Sequence, residues 1–326
     1  MIKTRKMESG VALISVLLLV VIVTVLSVSM IQNQNFATHQ IRNSYDFTQT
    51  NLYALGGEEL ARQILWQDFQ DSPGIDHLNE EWAEKNLYFE FEGGEITINI
   101  IDLQGKFNIN SLILEGDLGR EARRRFGKLL LDNGLDVMYL DRLIDWMDYD
   151  GVARTLGAED YDYLGLATPY RTSGQPFTDV TELSLILGMD FASFEQLRNS
   201  LSALPELNTP LNINTSDLTV LNAILPASSG GVDNSLLRVQ ETNGPFNSVD
   251  EFLQASPISP LGIKATGLSV QSNFFEVQVR ARYGDRFGYL TSIIQRGNDG
   301  STHVISRNHS RKIFPMKDSA VQKAKS

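Results

Sequence analysis

Apolar and charged residues are distributed very unevenly along this chain. From Ser9 to Ile41 there is no Asp, Glu, Lys or Arg, and within that stretch Val11–Ile31 is 21 residues broken only by Ser15, Thr24, Ser27 and Ser29. A bilayer core takes about 20 apolar residues as a helix, so this run is long enough to span. Beyond it, Ile41, Tyr45, Leu52 and Leu55 keep helix-like spacing, and no proline interrupts Met1 to Gln70. The pattern predicts one helix over residues 11–72, with 11–31 in the membrane and a length of about 90 Å at 1.5 Å per residue. Gly56-Gly57 is the expected kink or break.

Alternation then replaces helical spacing. Leu87–Phe91 and Ile96–Ile100 read as strands joined through Gly93-Gly94. Phe274–Tyr283 and Phe287–Ile294 read as a second hairpin around Gly284-Asp285, with His303–Ser306 as a further strand. Residues 73–110 and 273–313 are therefore expected to build a small antiparallel sheet, giving an α+β fold with a large helical insertion between its strands. Residues 314–326 are polar and read as a disordered tail.

The insertion repeats itself. Lys106-Phe107-Asn108-Ile109-Asn110 returns as Pro210-Leu211-Asn212-Ile213-Asn214, and Phe177-Thr178-Asp179-Val180-Thr181-Glu182-Leu183 returns as Phe246-Asn247-Ser248-Val249-Asp250-Glu251-Phe252. Asp179 and Ser248 stand where each copy can cap a helix. Phe107 to Phe177 is 70 positions, whereas Leu211 to Phe246 is 35. Two helical units follow, 111–205 and 206–272, the first carrying the extra length.

Composition narrows the chemistry. The mean hydropathy of −0.15 matches an ordinary soluble protein, but it averages a membrane run with a polar remainder. The absence of cysteine excludes disulfides, thiolate zinc sites, iron–sulfur clusters and cysteine nucleophiles. The four histidines (His39, His77, His303 and His309) are not spaced as an HExxH zinc pair. A net charge of −12 opposes nucleic acid as a partner. Lys3, Arg5 and Lys6 before the apolar run predict a cytoplasmic leader and an exported remainder. The run is longer than a secretory signal core, and no A-x-A-like site follows it.

Much of the acid is concentrated. Asp145, Asp148, Asp150, Glu159, Asp160 and Asp162 fall within 18 positions, opposed by Arg154 alone. Calcium takes 6–8 oxygen ligands in a flexible shell and suits such a density. Asp148, Asp150 and Glu159 match positions one, three and twelve of an EF-hand loop, but Val152 supplies no side-chain oxygen at position five and Ala153 stands where that loop needs Gly. Spacing alone leaves an irregular calcium loop and a solvated acidic loop both open. A metal-dependent hydrolase using the same carboxylates lacks a nearby nucleophile or histidine.

Glu8-Ser9-Gly10 followed by Val11-Ala12-Leu13-Ile14-Ser15 resembles the class III leader of type IV pilins and pseudopilins. The resemblance implies a leader over 1–10, cleavage after Gly10 by a prepilin peptidase, and methylation of the new N-terminus at Val11. Most members carry Glu at mature position five, where this chain has the atypical Ser15; a carboxylate in hydrocarbon needs a partner, and Ser15 cannot supply one to a neighbouring subunit. Among pseudopilins that departure resembles GspK, the K component of type II secretion. The Asp145-Trp146 segment, Gly157-Ala158-Glu159-Asp160, Pro169-Tyr170-Arg171 and the tandem units are similar to the same family.

The family resemblance carries further expectations. It implies a pilin-like helix and sheet, and an insertion of two SAM-like or helix-hairpin-helix repeats. It also implies calcium on Asp148, Asp150, Glu159 and Asp160, with Asp145 and Asp162 as additional donors. The implied function is that of a minor pseudopilin, not an enzyme, seated at the pseudopilus tip, where it helps initiate assembly and export across the outer membrane. The implied partners are GspI, GspJ, other pseudopilins, the prepilin peptidase and the inner membrane, crossed once with the C-terminal domain in the periplasm. The alternatives are a type IV pilus minor pilin and a membrane-anchored periplasmic metal-dependent hydrolase.

Overall fold

The computed structural model describes residues 8–226, 239, 244–256 and 258–309; most of the leader and the whole of the expected tail 314–326 lie outside them. Helix α1 (Glu8–Asp71) is a single helix of 64 residues. Its halves differ in what they touch. Every large apolar side chain from Leu13 to Ile31 is exposed, whereas Ala54, Ala61 and Leu65 are fully buried. The first half is apolar all round and has no packing partner; the second has one apolar face, which is what helix-on-sheet packing requires.

Gly56-Gly57 does not break α1. A Cβ at Gly57 would stand 2.6 Å from Cγ1 of Val279 and 2.9 Å from Cγ2 of Ile96, while one at Gly56 would meet open space. Glycine inside a helix costs up to about 1 kcal/mol against alanine. At Gly57 that cost is offset by letting the helix backbone approach the sheet, so the predicted kink is corrected to a close contact.

In chain order the strands are β1 (Leu87–Phe91), β2 (Gly94–Asp102), β3 (Phe107–Asn108), β4 (Leu201–Ser202), β5 (Leu211–Asn212), β6 (Leu268–Ser269), β7 (Phe274–Tyr283), β8 (Arg286–Arg296) and β9 (Thr302–Asn308). Five of them form one antiparallel sheet in the order β1-β2-β7-β8-β9. Alternate residues on its inner face, among them Ile96, Ile98, Phe275, Val277, Val279 and Leu290, pack with Ala54, Ala61, Leu65 and Trp82. Because β2 lies beside β7, the chain leaves the sheet after Asp102 and returns at Phe274. β3 falls outside the sheet and inside the insertion, although residues 73–110 read as sheet from sequence.

The position of the insertion follows from the strand directions. Arg286, just past the β7–β8 turn, donates to Oδ1 of Asn43 at 2.7 Å, on the part of α1 nearer the apolar run. Asp102 and Phe274 stand at the opposite end of the sheet, where Arg296 pairs with Asp68 in the last turn of α1. The insertion therefore grows from the end of the head farthest from the apolar stem.

It consists of two units, each with its own core cluster, joined where Ala223 of the second packs into the first. The first contains α2 (Gly116–Asp132), α3 (Met138–Met147), α4 (Asp160–Leu164) and α5 (Phe191–Leu197), and parallel pairing of β3 with β4 closes it. The second contains α6 (Leu218–Ile224) and a helix over Val249–Gln254, and parallel pairing of β5 with β6 closes it. The sequence echo is a repeated set of bonds. Asn110 donates to the carbonyls of Phe177 and Leu204, both at 2.9 Å, and accepts the N–H of Phe177 at 2.8 Å. Asn214 donates to the carbonyl of Phe246 at 3.0 Å and accepts its N–H at 2.9 Å. Asp179 and Ser248 then cap the following turns.

Candidate metal centre

Helix α3 buries Leu143, Ile144, Trp146 and Met147. The indole of Trp146 lies edge-on to Tyr163 and Tyr170, with ring centroids 5.4 and 6.3 Å away, and stacks over Phe177 at 6.4 Å. This aromatic contact fixes the end of α3 against α4, and so holds Asp145 and Asp148 opposite Glu159.

Asp145 is fully buried and forms the floor of the site. Its Oδ2 accepts the backbone N–H of Arg154 at 3.0 Å, and Nε of Arg154 lies 3.3 Å from its Oδ1. The guanidinium of Arg154 also reaches Oδ2 of Asp148 at 3.2 Å. Gly157 packs directly over the Asp145 carboxylate, where any side chain would collide with it. Above this floor, one carboxylate oxygen from each of Asp148, Asp150 and Glu159 lies within 4.8 Å of the others.

The group is electrostatically unsatisfied. Oδ1 of Asp145, Oδ1 of Asp148 and Oε1 of Glu159 are all buried without a hydrogen-bond partner. Burial and the neighbouring carboxylates of Asp145, Asp148 and Asp150 push Glu159 up to about 7. Burial, followed by the charge of Asp150, also raises Asp148. Orphaned buried polar atoms cost free energy, and buried charge costs more. A bound cation would relieve both, and an all-oxygen donor set fits a hard ion such as calcium.

The other two candidates face elsewhere. Asp160 accepts the backbone N–H of Thr172 at 2.9 Å, the Thr172 hydroxyl at 3.0 Å and the Arg171 guanidinium at 2.8 Å. These bonds hold its carboxyl below the usual range. Oδ2 of Asp162 accepts the N–H of Glu159 at 3.1 Å across the first turn of α4. Glu159 is the extended N-cap of α4 and forms a capping box with Asp162, whereas Asp160 begins the helix and is taken up by Thr172 and Arg171. Thr172 and the packing of Gly157 carried no signal in the sequence. In the stem, Gly10 and Val11 lie in the first turns of α1, and Ser15 is exposed among the apolar residues.

An apolar stem helix, an antiparallel sheet folded onto its far half, and a head enlarged by an insertion define a pilin-like subunit, whose stem is, among the described residues, the one helix long and apolar enough to cross a membrane. Two family models described as type II secretion system protein K match residues 105–206 and 211–271. Protein K of Pseudomonas aeruginosa is 35% identical over 325 residues, 96% of each chain, and that of Klebsiella pneumoniae is 32% identical over 298 residues, 86% of this chain and 91% of the other. The chain belongs to the type II secretion system protein K family, the minor pseudopilins of that machine. The fold matches a chain in the crystal structure of the GspK-GspI-GspJ complex from enterotoxigenic Escherichia coli, with a TM-score of 0.73 at 23% identity over 84% of this chain and 100% of that one.

Proposed function

We propose that this minor pseudopilin occupies the tip of the pseudopilus and helps start its assembly for export across the outer membrane. The observation that carries the reading is where the insertion sits. It projects from the stem-distal end of the sheet, beyond the end of α1, where the next subunit of a stacked fibre would have to pack. A head of this shape is compatible with a last position and obstructs an internal one. Ser15 fits the same position, since a tip subunit has no subunit above it to pair with.

The stem crosses the inner membrane once, with the head in the periplasm, after cleavage at Gly10 and methylation of Val11 by the prepilin peptidase. GspI and GspJ are the expected neighbours, by analogy with the complex of the matched structure, and other pseudopilins follow below. Calcium is held by Asp148, Asp150 and Glu159, with Asp145 beneath them and Arg154 offsetting part of the remaining charge. The SAM-like or helix-hairpin-helix description of the two units is supported by their shared Asn–Phe hydrogen bonds and caps. The experiment is co-purification of the processed chain with GspI and GspJ, read with intact mass. A complex containing a chain that begins at methylated Val11 is expected. A chain that still begins at Met1 after coexpression with the peptidase, or one that purifies without both partners, overturns the reading.

A further inference from the structure

A second acidic group lies where the stem enters the head. Asp68 is in the last turn of α1, Asp76 is in the following loop, and Glu80 leads into the short turn that holds Trp82. One carboxylate oxygen from each lies within 4.8 Å of the others. Asp76 is fully buried, and the Glu80 side chain is 8% exposed. The guanidinium facing them is that of Arg296, at the end of β8. It lies 3.1 Å from Oδ2 of Asp68, pairs closely with Asp76 and donates to the carbonyl of Ser272 at 2.8 Å. Three carboxylates thus face one guanidinium, with the imidazole of His77 3.6 Å from Glu80.

Glu80 is half satisfied. Its Oε2 accepts the indole N–H of Trp82 at 2.7 Å and the backbone N–H of His77 at 2.9 Å. Its Oε1 is buried with no hydrogen-bond partner, and Nε2 of His77, at 3.6 Å, is beyond bonding distance. The strain of this arrangement falls on Asp68, whose carboxyl is pushed up to about 7 by burial and then by Glu80 and Asp76.

We propose that Asp68, Asp76 and Glu80 form a second calcium site, separate from the loop of Asp148, Asp150 and Glu159. The excess of carboxylate over cationic groups suits a cation, and the all-oxygen donor set suits a hard one. Such an ion would give Oε1 of Glu80, which has no hydrogen bond, a direct partner. An ion here ties the end of the stem to the head, at the point where α1, β8 and the strand returning from the insertion meet.

The full chain in detergent micelles provides the test, by equilibrium dialysis against calcium and by terbium luminescence excited through tryptophan. Two calcium ions per chain are expected. Asp148→Asn combined with Glu159→Gln retains one ion, and its terbium emission depends on Trp82, which is bonded to Glu80. Adding Glu80→Gln to that background removes the last ion. Asp68→Asn, checked for fold by circular dichroism, does the same if the Glu80 variant fails to fold. One ion per wild-type chain that is lost with the loop variants overturns the junction site and leaves the loop standing. An ion that survives both Glu80→Gln and Asp68→Asn in the loop background also overturns the proposal. No ion at all overturns both sites.

Discussion

The two helical units are built on one frame and filled differently. Each opens with an Asn-Ile-Asn turn, bonds its second Asn to the backbone of a Phe far along the chain, caps the turn after that Phe, and closes with a two-residue parallel ladder. Between the Asn and the Phe, the first unit inserts α3, the acidic loop and α4, while the second spans the same interval with about half the chain. Among the described residues, the Asn–Phe bonds and the caps of the frame are made between protein groups. The insert leaves three buried carboxylate oxygens without a hydrogen bond. A fold can therefore take on a ligand site without altering its supports, provided that the ligand compensates what the added segment leaves unsatisfied.

The roots of the units differ as well. Asn108 donates to the carbonyl of Glu206, whereas Asn212 reaches the sheet, donating to the hydroxyl of Ser272 at 2.8 Å beside the buried carboxylate of Asp102. The second unit is thus tied through Asn212 to the buried acid of the sheet.

Four outcomes sharpen this contrast, taken from the largest. Asn110→Ala strands one N–H and two carbonyls in the core and is expected to cost roughly 2–4 kcal/mol in chemical denaturation; Asn214→Ala, with two described bonds at stake, costs roughly 1–3 kcal/mol. An equal or inverted order would mean that the frames are not equivalent supports. Calcium at a hundredfold excess over its dissociation constant should add about 2.7 kcal/mol per site to the native state. Asp148→Asn should remove the loop's share of that gain, seen as a smaller rise in melting temperature.

The third outcome concerns pH. Asp102 is fully buried, and burial raises its carboxyl to about 6 despite bonds from Ser272, Thr215 and Gln104. A folded-state value above the ordinary one means that its contribution is complete below about 4 and is lost as pH rises through about 6. In chelator, melting temperature should fall across that window, and Asp102→Asn should flatten part of the fall; an unchanged slope would remove the acid from the anchor. The smallest effect is expected for Asp160→Asn, whose carboxylate is exposed and bonded to Thr172 and Arg171 outside the metal group. Calcium stoichiometry should stay the same, and loss of an ion would return Asp160 to the ligand set.

Much of this architecture was legible in the sequence, for identifiable reasons. A charge-free run of more than thirty residues marks the stem, alternation marks the long strands, and the Asn-Ile-Asn echo marks the repeat because both copies need the same buried side chain in the same place. Composition identified the acidic loop but not which carboxylates converge. Glu159 and Asp160 are neighbours in sequence, but one is the extended N-cap of α4 and the other its first helical residue, and their carboxylates meet different partners. Gly56 and Gly57 were indistinguishable until the sheet was set against one of them. Asp68, Asp76 and Glu80 carried no signal at all, because Arg296, which gathers two of them, is more than two hundred residues away.

Hydrogen exchange on the full chain, with and without calcium, tests the central contrast most directly. The account predicts a gain in protection across Asp145–Thr172 when calcium is added, and none across Val249–Gln254 of the second unit, away from the junction carboxylates. No gain in the first unit, or an equal gain across Val249–Gln254, would contradict it.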